Sequence, residues 1–244
     1  MSNAIVTTSW DDGHPLDMKL AHLLGKYEIP ATFFIPIRNS QRRDVLDGKG
    51  ILELSEAFDI GGHTYNHVDL TGIDLEEAKE EILKGKETIE NIIGRDVESF
   101  CYPLGKYNKD IIEIVRQSGF SCARTVRLLE TSIKDPFQLG TTAHVTEKGL
   151  THITNYFLKS RDLPNRRMVC RLIGGGAMFR DWYHLANNTL EYVVRKGGVF
   201  HLWGHSWEIE QFGQWGKLEV FLARMMELKE RGMLKTVSLT ESIK

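Results

Sequence analysis

Short runs of apolar and β-branched residues alternate along this 244-residue chain with longer stretches whose apolar positions recur every three or four residues. Ala4 to Trp10 reads as a buried strand, and Pro15 opens a helix with Leu16, Leu20, Leu23, Leu24 and Tyr27 on one face. Pro30 ends that helix, and Ala31 to Ile37 is a second apolar strand. A short helix near Leu52 to Ala57 and a strand running into Gly61-Gly62 come next. Asp74, with Glu77 three residues on, caps a helix carrying Leu75, Ala78, Ile82, Ile89 and Ile93 on one side. The pattern then predicts a strand at Ser99 to Tyr102, a helix at Asp110 to Ser118, and strands at Ser121 to Val126 and near Thr141 to Val145. A helix near Leu150 to Leu158 and a strand at Met168 to Ile173 follow. The last predicted units are a helix from about Trp182 to Arg195, a strand at Val199 to Trp203, a helix at Leu218 to Arg231 and a strand near Leu234 to Ser238.

Strand and helix alternate from end to end with no linker, repeat or low-complexity stretch, so residues 1–244 are expected to form one α/β domain on a parallel sheet. About seven such units in this length suit a barrel better than an open sheet. In a barrel, catalytic groups sit where strands end and loops begin. Asp11, Asp12, His63 and His205 all fall just after expected strands.

Composition narrows the function classes. Hydrophobic content of 41% and charged content of 26% are ordinary for a globular domain. Net charge is −2 with the signs mixed, so neither a nucleic-acid footprint nor a basic membrane face is expected. No apolar run reaches the length of a membrane span. The N-terminus lacks the charged-then-apolar pattern of a secretory leader, which reads as cytoplasmic, or as exported if a leader has been removed. Cys101, Cys122 and Cys170 are widely spaced in apolar strand-like segments and are expected to be buried thiols. Nothing in the pattern bears on oligomeric state.

Three segments carry chemistry. Ser9-Trp10-Asp11-Asp12-Gly13 places two carboxylates at a strand exit. Strict alternation would send them to opposite faces, but Gly13 lets the chain leave the strand so that both converge on one pocket. Alone, such a triplet is most often a turn. His63 and His67 lie four apart after Gly61-Gly62, on one side if the segment turns helically. One carboxylate and two imidazoles suit zinc, and equally iron, cobalt, nickel or manganese. In the third segment His201, Trp203 and His205 alternate onto one strand face, and His205, between Gly204 and Ser206, is positioned to give up a proton. Trp203, Trp207 and Trp215 are candidates for sugar stacking, although packing is the commoner use of such residues. Gly174-Gly175-Gly176 lacks the Lys-Ser/Thr of a phosphate loop and reads as a turn.

Together these segments resemble the polysaccharide deacetylases, the family-four carbohydrate esterases, over most of the chain from Ser9 to about Glu208. The resemblance implies a distorted (β/α) barrel, seven-stranded rather than eight, and a divalent metal, zinc first. Ser9-Trp10-Asp11-Asp12-Gly13 stands for the first motif and makes Asp11 the general base and Asp12 a metal ligand. His63-Thr64-Tyr65-Asn66-His67 meets the second and makes His63 and His67 the other ligands. Leu202-Trp203-Gly204-His205 matches the last and makes His205 the general acid. Asp181-Trp182 resembles the fourth, whose Asp orients that histidine. The third motif departs. Where the family has Phe-Arg-x-Pro-Tyr-Gly this chain has Phe100-Cys101-Tyr102-Pro103-Leu104-Gly105, so the Leu104 amide is left to bind an oxyanion and the arginine is missing. Arg124 and Arg180 are candidates to supply its charge.

The resulting expectation is a metal-dependent hydrolase that removes acetyl groups from an acetylated carbohydrate. Two alternatives are a hydrolase of a non-sugar amide or cyclic imide on the same fold, and a non-catalytic carbohydrate-binding relative. Retention of both Asp11 and His205 argues against the second.

Overall fold

A computed structural model describes residues 4–147 and 181–244. Eight strands, β1 (Ala4–Asp11), β2 (Thr32–Ile35), β3 (Asp59–Gly62), β4 (Ser99–Cys101), β5 (Cys122–Arg124), β6 (Ala143–Val145), β7 (Gly198–Gly204) and β8 (Lys235–Thr236), all pair in parallel. Seven run in the order β5-β4-β3-β2-β1-β7-β6, and β8 pairs with β1. The helices are α1 (Asp17–Lys26), α2 (Gly48–Ser55), α3 (Leu75–Ile93), α4 (Lys109–Gln117), α5 (Trp182–Lys196), α6 (Ser206–Gln211) and α7 (Trp215–Glu230). This is the expected distorted (β/α) barrel.

The sheet curls because a strip between β5 and β6 joins its two sides. Leu139 exchanges backbone hydrogen bonds with Ala123 (2.9 Å) and Thr125 (2.8 Å) beside β5, while Thr142 N–H donates to the His201 carbonyl of β7 at 2.8 Å. Alternation along β2 sorts the core. Phe33 and Ile35 join the large cluster between sheet and helices, whereas Phe34 joins a small one with Cys101, Cys122, Leu139 and Leu239. Inside the curl that apolar patch lies among polar groups, and both Thr7 Oγ1 (2.6 Å) and Ser9 Oγ (2.8 Å) hydrogen-bond the ring nitrogens of His201. Burial lowers the His201 pKa to about 3, with the Arg124 charge adding to it, so this imidazole is neutral.

Most predicted elements form, with shifted ends. α2 starts at Gly48, where Asp47 caps it by accepting from Gly50 N–H at 2.8 Å. Asp74 accepts from Glu77 N–H at 2.8 Å, as its spacing predicts, but Leu75 is 48% exposed because it occupies the first helical position, away from the buried stripe. α6 was not expected, since six residues are too few for an apolar period to register. Cys101 and Cys122 are buried free thiols. The helix expected near Leu150, the strand at Met168 to Ile173, Cys170, Gly174 to Gly176 and Arg180 lie outside the described residues. Among the described residues no helix is long and apolar enough to cross a membrane.

Candidate active site

Every strand that contributes to the site does so at its C-terminal end. Asp11 closes β1, and the chain then turns sharply, with φ of 81° at Asp12 and 61° at Gly13. A Cβ at Gly13 would stand 2.7 Å from Ile35 Cγ2, so that position requires glycine for space as well as for φ. The left-handed residue Asp12, together with Gly13, re-aims the second carboxylate. Both acids are thereby buried in one pocket.

β3 ends at Gly62, and the next residues bring His63 and His67 together. The segment is not the helical turn that the spacing suggested. It is a loop with left-handed backbone at Thr64 (φ 64°) and His67 (φ 54°). The loop is pinned to α3, where Asn66 N–H donates to Glu81 Oε2 at 2.8 Å and Tyr65 N–H to the Glu81 carbonyl at 2.9 Å. A Cβ on Gly85 would lie 2.7 Å from the Thr64 carbonyl carbon, so only glycine lets α3 approach this closely. The two imidazole centroids end 4.8 Å apart.

Asp12, His63 and His67 form one buried donor set whose ligating atoms all lie within 4.8 Å of one another. Asp12 Oδ1 is 3.2 Å from His67 Nε2 and 3.8 Å from His63 Nε2. His63 Nδ1–H donates to the Cys101 carbonyl at 2.8 Å, which leaves its Nε2 lone pair facing Asp12. Burial, then the neighbouring His67, lowers the His63 pKa to about 4 against the pull of Asp11 and Asp12. For Asp12 burial opposes ionisation, but the His67 hydrogen bond and the His205 and His63 charges outweigh it and hold the pKa far below the carboxylate range. A carboxylate oxygen and two imidazole nitrogens are donor types that a borderline divalent cation takes, so the donor set fits one. Trp207 Nε1–H also donates to Asp12 Oδ2 at 2.9 Å, and Arg43 lies over the Trp207 ring at 4.0 Å.

Asp11 has a different environment. Arg124, with no exposed surface, donates through one terminal nitrogen to both Asp11 oxygens and to Cys101 Sγ. The register explains the substitution in the third motif. Cys101 of β4 pairs with Arg124 of β5, so the guanidinium enters the same space from the adjacent strand. The Phe34 and Trp203 rings flank it at 5.3 and 4.8 Å. Burial raises the Asp11 pKa, but the Arg124, His63 and His205 charges together bring it below the ordinary range.

His205 follows β7 at the N-cap of α6. Asp181, expected to orient it, has other partners among the described residues. Asp181 is the N-cap of α5, accepting from His184 N–H (3.0 Å), His184 Nδ1 (2.7 Å) and Lys217 Nζ (2.7 Å). These partners hold its carboxylate on the helix end, because an N-cap aspartate is satisfied locally by the amides of the first turn. The carboxylate beside His205 is Glu208, whose Oε2 lies 2.9 Å from His205 Nδ1. Sequence reasoning missed Glu208 and His144 as site residues, and it offered Trp207 for sugar stacking rather than as a donor to Asp12. The only signal for Glu208 was its i+3 spacing from His205, which matters once α6 is known to start there.

Leu104, 47% exposed and left-handed (φ 57°), lines the mouth of the cavity. The cavity is about 400 Å³ and is bounded by Asp11, Asp12, His63, His67 and His205. Trp203 and Trp207 line it as well, with Trp203 stacked on His144 at 3.9 Å. Trp215 lies outside the lining, with its Nε1–H on Glu210 at 2.5 Å.

A parallel barrel with a carboxylate–histidine pocket at its C-terminal strand ends defines a class of protein whose chemistry resides in the loops. The family profile described as Polysaccharide deacetylase matches residues 1–123, and the chain belongs to that family. A peptidoglycan-N-acetylglucosamine deacetylase of Bacillus cereus is 28% identical over 118 residues, 48% of this chain and 54% of that protein. The matched stretches span from 34% to 54% of the length of the curated relatives. Among solved structures, a family 4 carbohydrate esterase from Streptomyces lividans in complex with acetate superposes with a TM-score of 0.57 at 14% identity, covering 97% of this chain and 93% of that one. A family pseudoenzyme from Bacillus anthracis superposes equally well (TM-score 0.57, 16% identity, 98% of this chain and 65% of that one). At such identities the likeness is one of fold, and the fold alone does not distinguish an enzyme from a pseudoenzyme.

Proposed function

We propose that the protein is a metal-dependent hydrolase that removes an acetyl group from an acetylated oligo- or polysaccharide. The observation that carries this reading is the convergence of Asp11, Asp12, His63, His67 and His205 on one cavity. Asp12, His63 and His67 would hold the divalent ion, zinc in the first instance. A divalent ion at such a site polarises a carbonyl and lowers the pKa of water.

The remaining work falls to the chain. Asp11 accepts a proton from the attacking water, and the Arg124 contact keeps it ionised at neutral pH and fixed in direction. That contact also weakens Asp11 as a base, because it stabilises the ionised carboxylate over the protonated one. The Leu104 N–H, at the cavity mouth, donates to the developing oxyanion. His205 protonates the sugar nitrogen or oxygen as its bond to the acyl carbon breaks, and the bonding electron pair stays on the leaving atom. Acetate and the free sugar group are the products.

The test is acetate release from a panel of N- and O-acetylated sugars by metal-stripped and zinc- or cobalt-restored protein, with Asp11→Asn alongside. The expected result is metal-dependent release that falls about 10²–10⁴-fold in the variant while its metal content is unchanged. Absence of release from every panel member by metal-loaded protein would overturn the reading.

A further inference from the structure

Glu208 occupies the third position of α6, and His205 is its N-cap. In a capping box, a carboxylate at this position reaches back to the backbone N–H of the cap residue. Here it reaches the side chain instead, placing Oε2 2.9 Å from His205 Nδ1. The same oxygen lies 3.2 Å from His144 Nε2, a charge contact without hydrogen-bond alignment, and the other accepts the Thr146 hydroxyl at 2.8 Å. Glu208 is only 5% exposed, so these groups replace the water that would otherwise solvate its charge. His144 is itself fixed by its stack on Trp203, 3.9 Å between centroids with the planes 10° apart. Glu208 is therefore anchored by β6 on one side while it holds His205 on the other.

We propose that Glu208 is the positioning carboxylate of His205, and that His144 and Thr146 form the cradle that holds Glu208 in place. The proposal rests on the deacetylase reading for the reaction it serves, but the pairing itself stands on geometry. A proton on His205 Nδ1 directed at Glu208 leaves Nε2 as the nitrogen that can serve the leaving group, and the carboxylate stabilises the imidazolium. The task that the family pattern gives to Asp181 has moved to a residue three positions after the histidine it serves. That position is free to do so because His205 caps α6 and the helix's first turn carries Trp207 and Glu208 into the pocket.

The experiment compares full-length wild type, Glu208→Gln and Asp181→Asn on two substrates. One is an N-acetylglucosamine oligomer, whose amine must be protonated to leave. The other is 4-nitrophenyl acetate, whose phenolate leaves without a proton. Glu208→Gln is expected to lose about 10²-fold in kcat on the oligomer with little change in KM, and only a few-fold on the aryl ester. Asp181→Asn is expected to keep both rates. A purely structural role would lower both substrates equally, and that result overturns the proposal. A second readout needs no activity. In histidine-labelled protein, the hydrogen-bonded Nδ1 proton of His205, assigned by its absence from His205→Gln, should vanish in Glu208→Gln and persist in Asp181→Asn. The reverse pattern overturns the proposal. If wild type hydrolyses neither substrate while the proton behaves as expected, the pairing stands and the deacetylase reading falls.

Discussion

The pocket has two walls built by different rules. One, from the ends of β1, β3 and β4, carries Asp11, Asp12, His63 and His67 within a few residues of their strands. The other, from β6, β7 and α6, carries His144, His205 and Glu208. The first wall carries the stretches that resemble the family's first and second motifs, departs from the third at Cys101, and lies within the matched residues 1–123 apart from Arg124 of β5, which comes one residue later. The second lies outside that match, and its histidine has a different carboxylate partner from the one the family pattern supplies. A metal site tolerates little rearrangement, because three donor atoms must converge within a few ångströms. A proton donor needs only one well-placed carboxylate, and several positions around it can provide one.

The largest effect should come from the first wall. Asp12→Ala is expected to lower zinc affinity by more than about 10²-fold, since changes to residues merely supporting a ligand already cost 10–100-fold. Metal analysis after dialysis checks this, and full retention of zinc would remove Asp12 from the ligand set. Next, Arg124→Met leaves a buried carboxylate unpaired and should destabilise the fold by about 3–5 kcal/mol in denaturant titration. An unchanged midpoint would mean that Asp11 finds another partner.

Trp207 belongs to the second wall yet donates to Asp12 of the first, so Trp207→Phe probes the contact between them. A loss of about 10-fold in zinc affinity is expected, at the small end of the effect for supporting residues. A calorimetric titration showing no change would make the two walls independent. The smallest effect belongs to Asp181. Its replacement by Ala should cost about 1 kcal/mol of stability through the lost cap and leave hydrolysis untouched. Burial raises its pKa, but Lys217 and His184 outweigh that and lower it from 3.8 to about 2. A depressed pKa means that its charged form contributes stability which is complete above about pH 4 and is lost as pH falls through about 2. The difference in melting temperature between wild type and Asp181→Ala should therefore shrink between pH 5 and pH 2, to about the cap's neutral remnant. A difference that grows on acidification would contradict that sign.

Much of this molecule was legible in the chain. Hydrophobic period and punctuation placed β1, α1, β2, α3, α4, α5 and β7 within a few residues, because each needs only local chemistry: Pro15 and Pro30 around one helix, Asp74 capping another. The same locality exposed Asp11, Asp12, His63, His67 and His205, all at a strand end or in the loop that directly follows one. What the chain could not show is any pairing across the barrel. Arg124 reaches Asp11 because β5 lies beside β4 in a register that sets it opposite Cys101. Glu208 meets His144 because β6 lies beside β7, and Trp207 meets Asp12 because β7 lies beside β1. Sequence fixes residue type and local geometry through short-range sterics and hydrogen bonding. Strand order and register bring residues far apart in the chain within a hydrogen bond of one another, and only the folded sheet determines them.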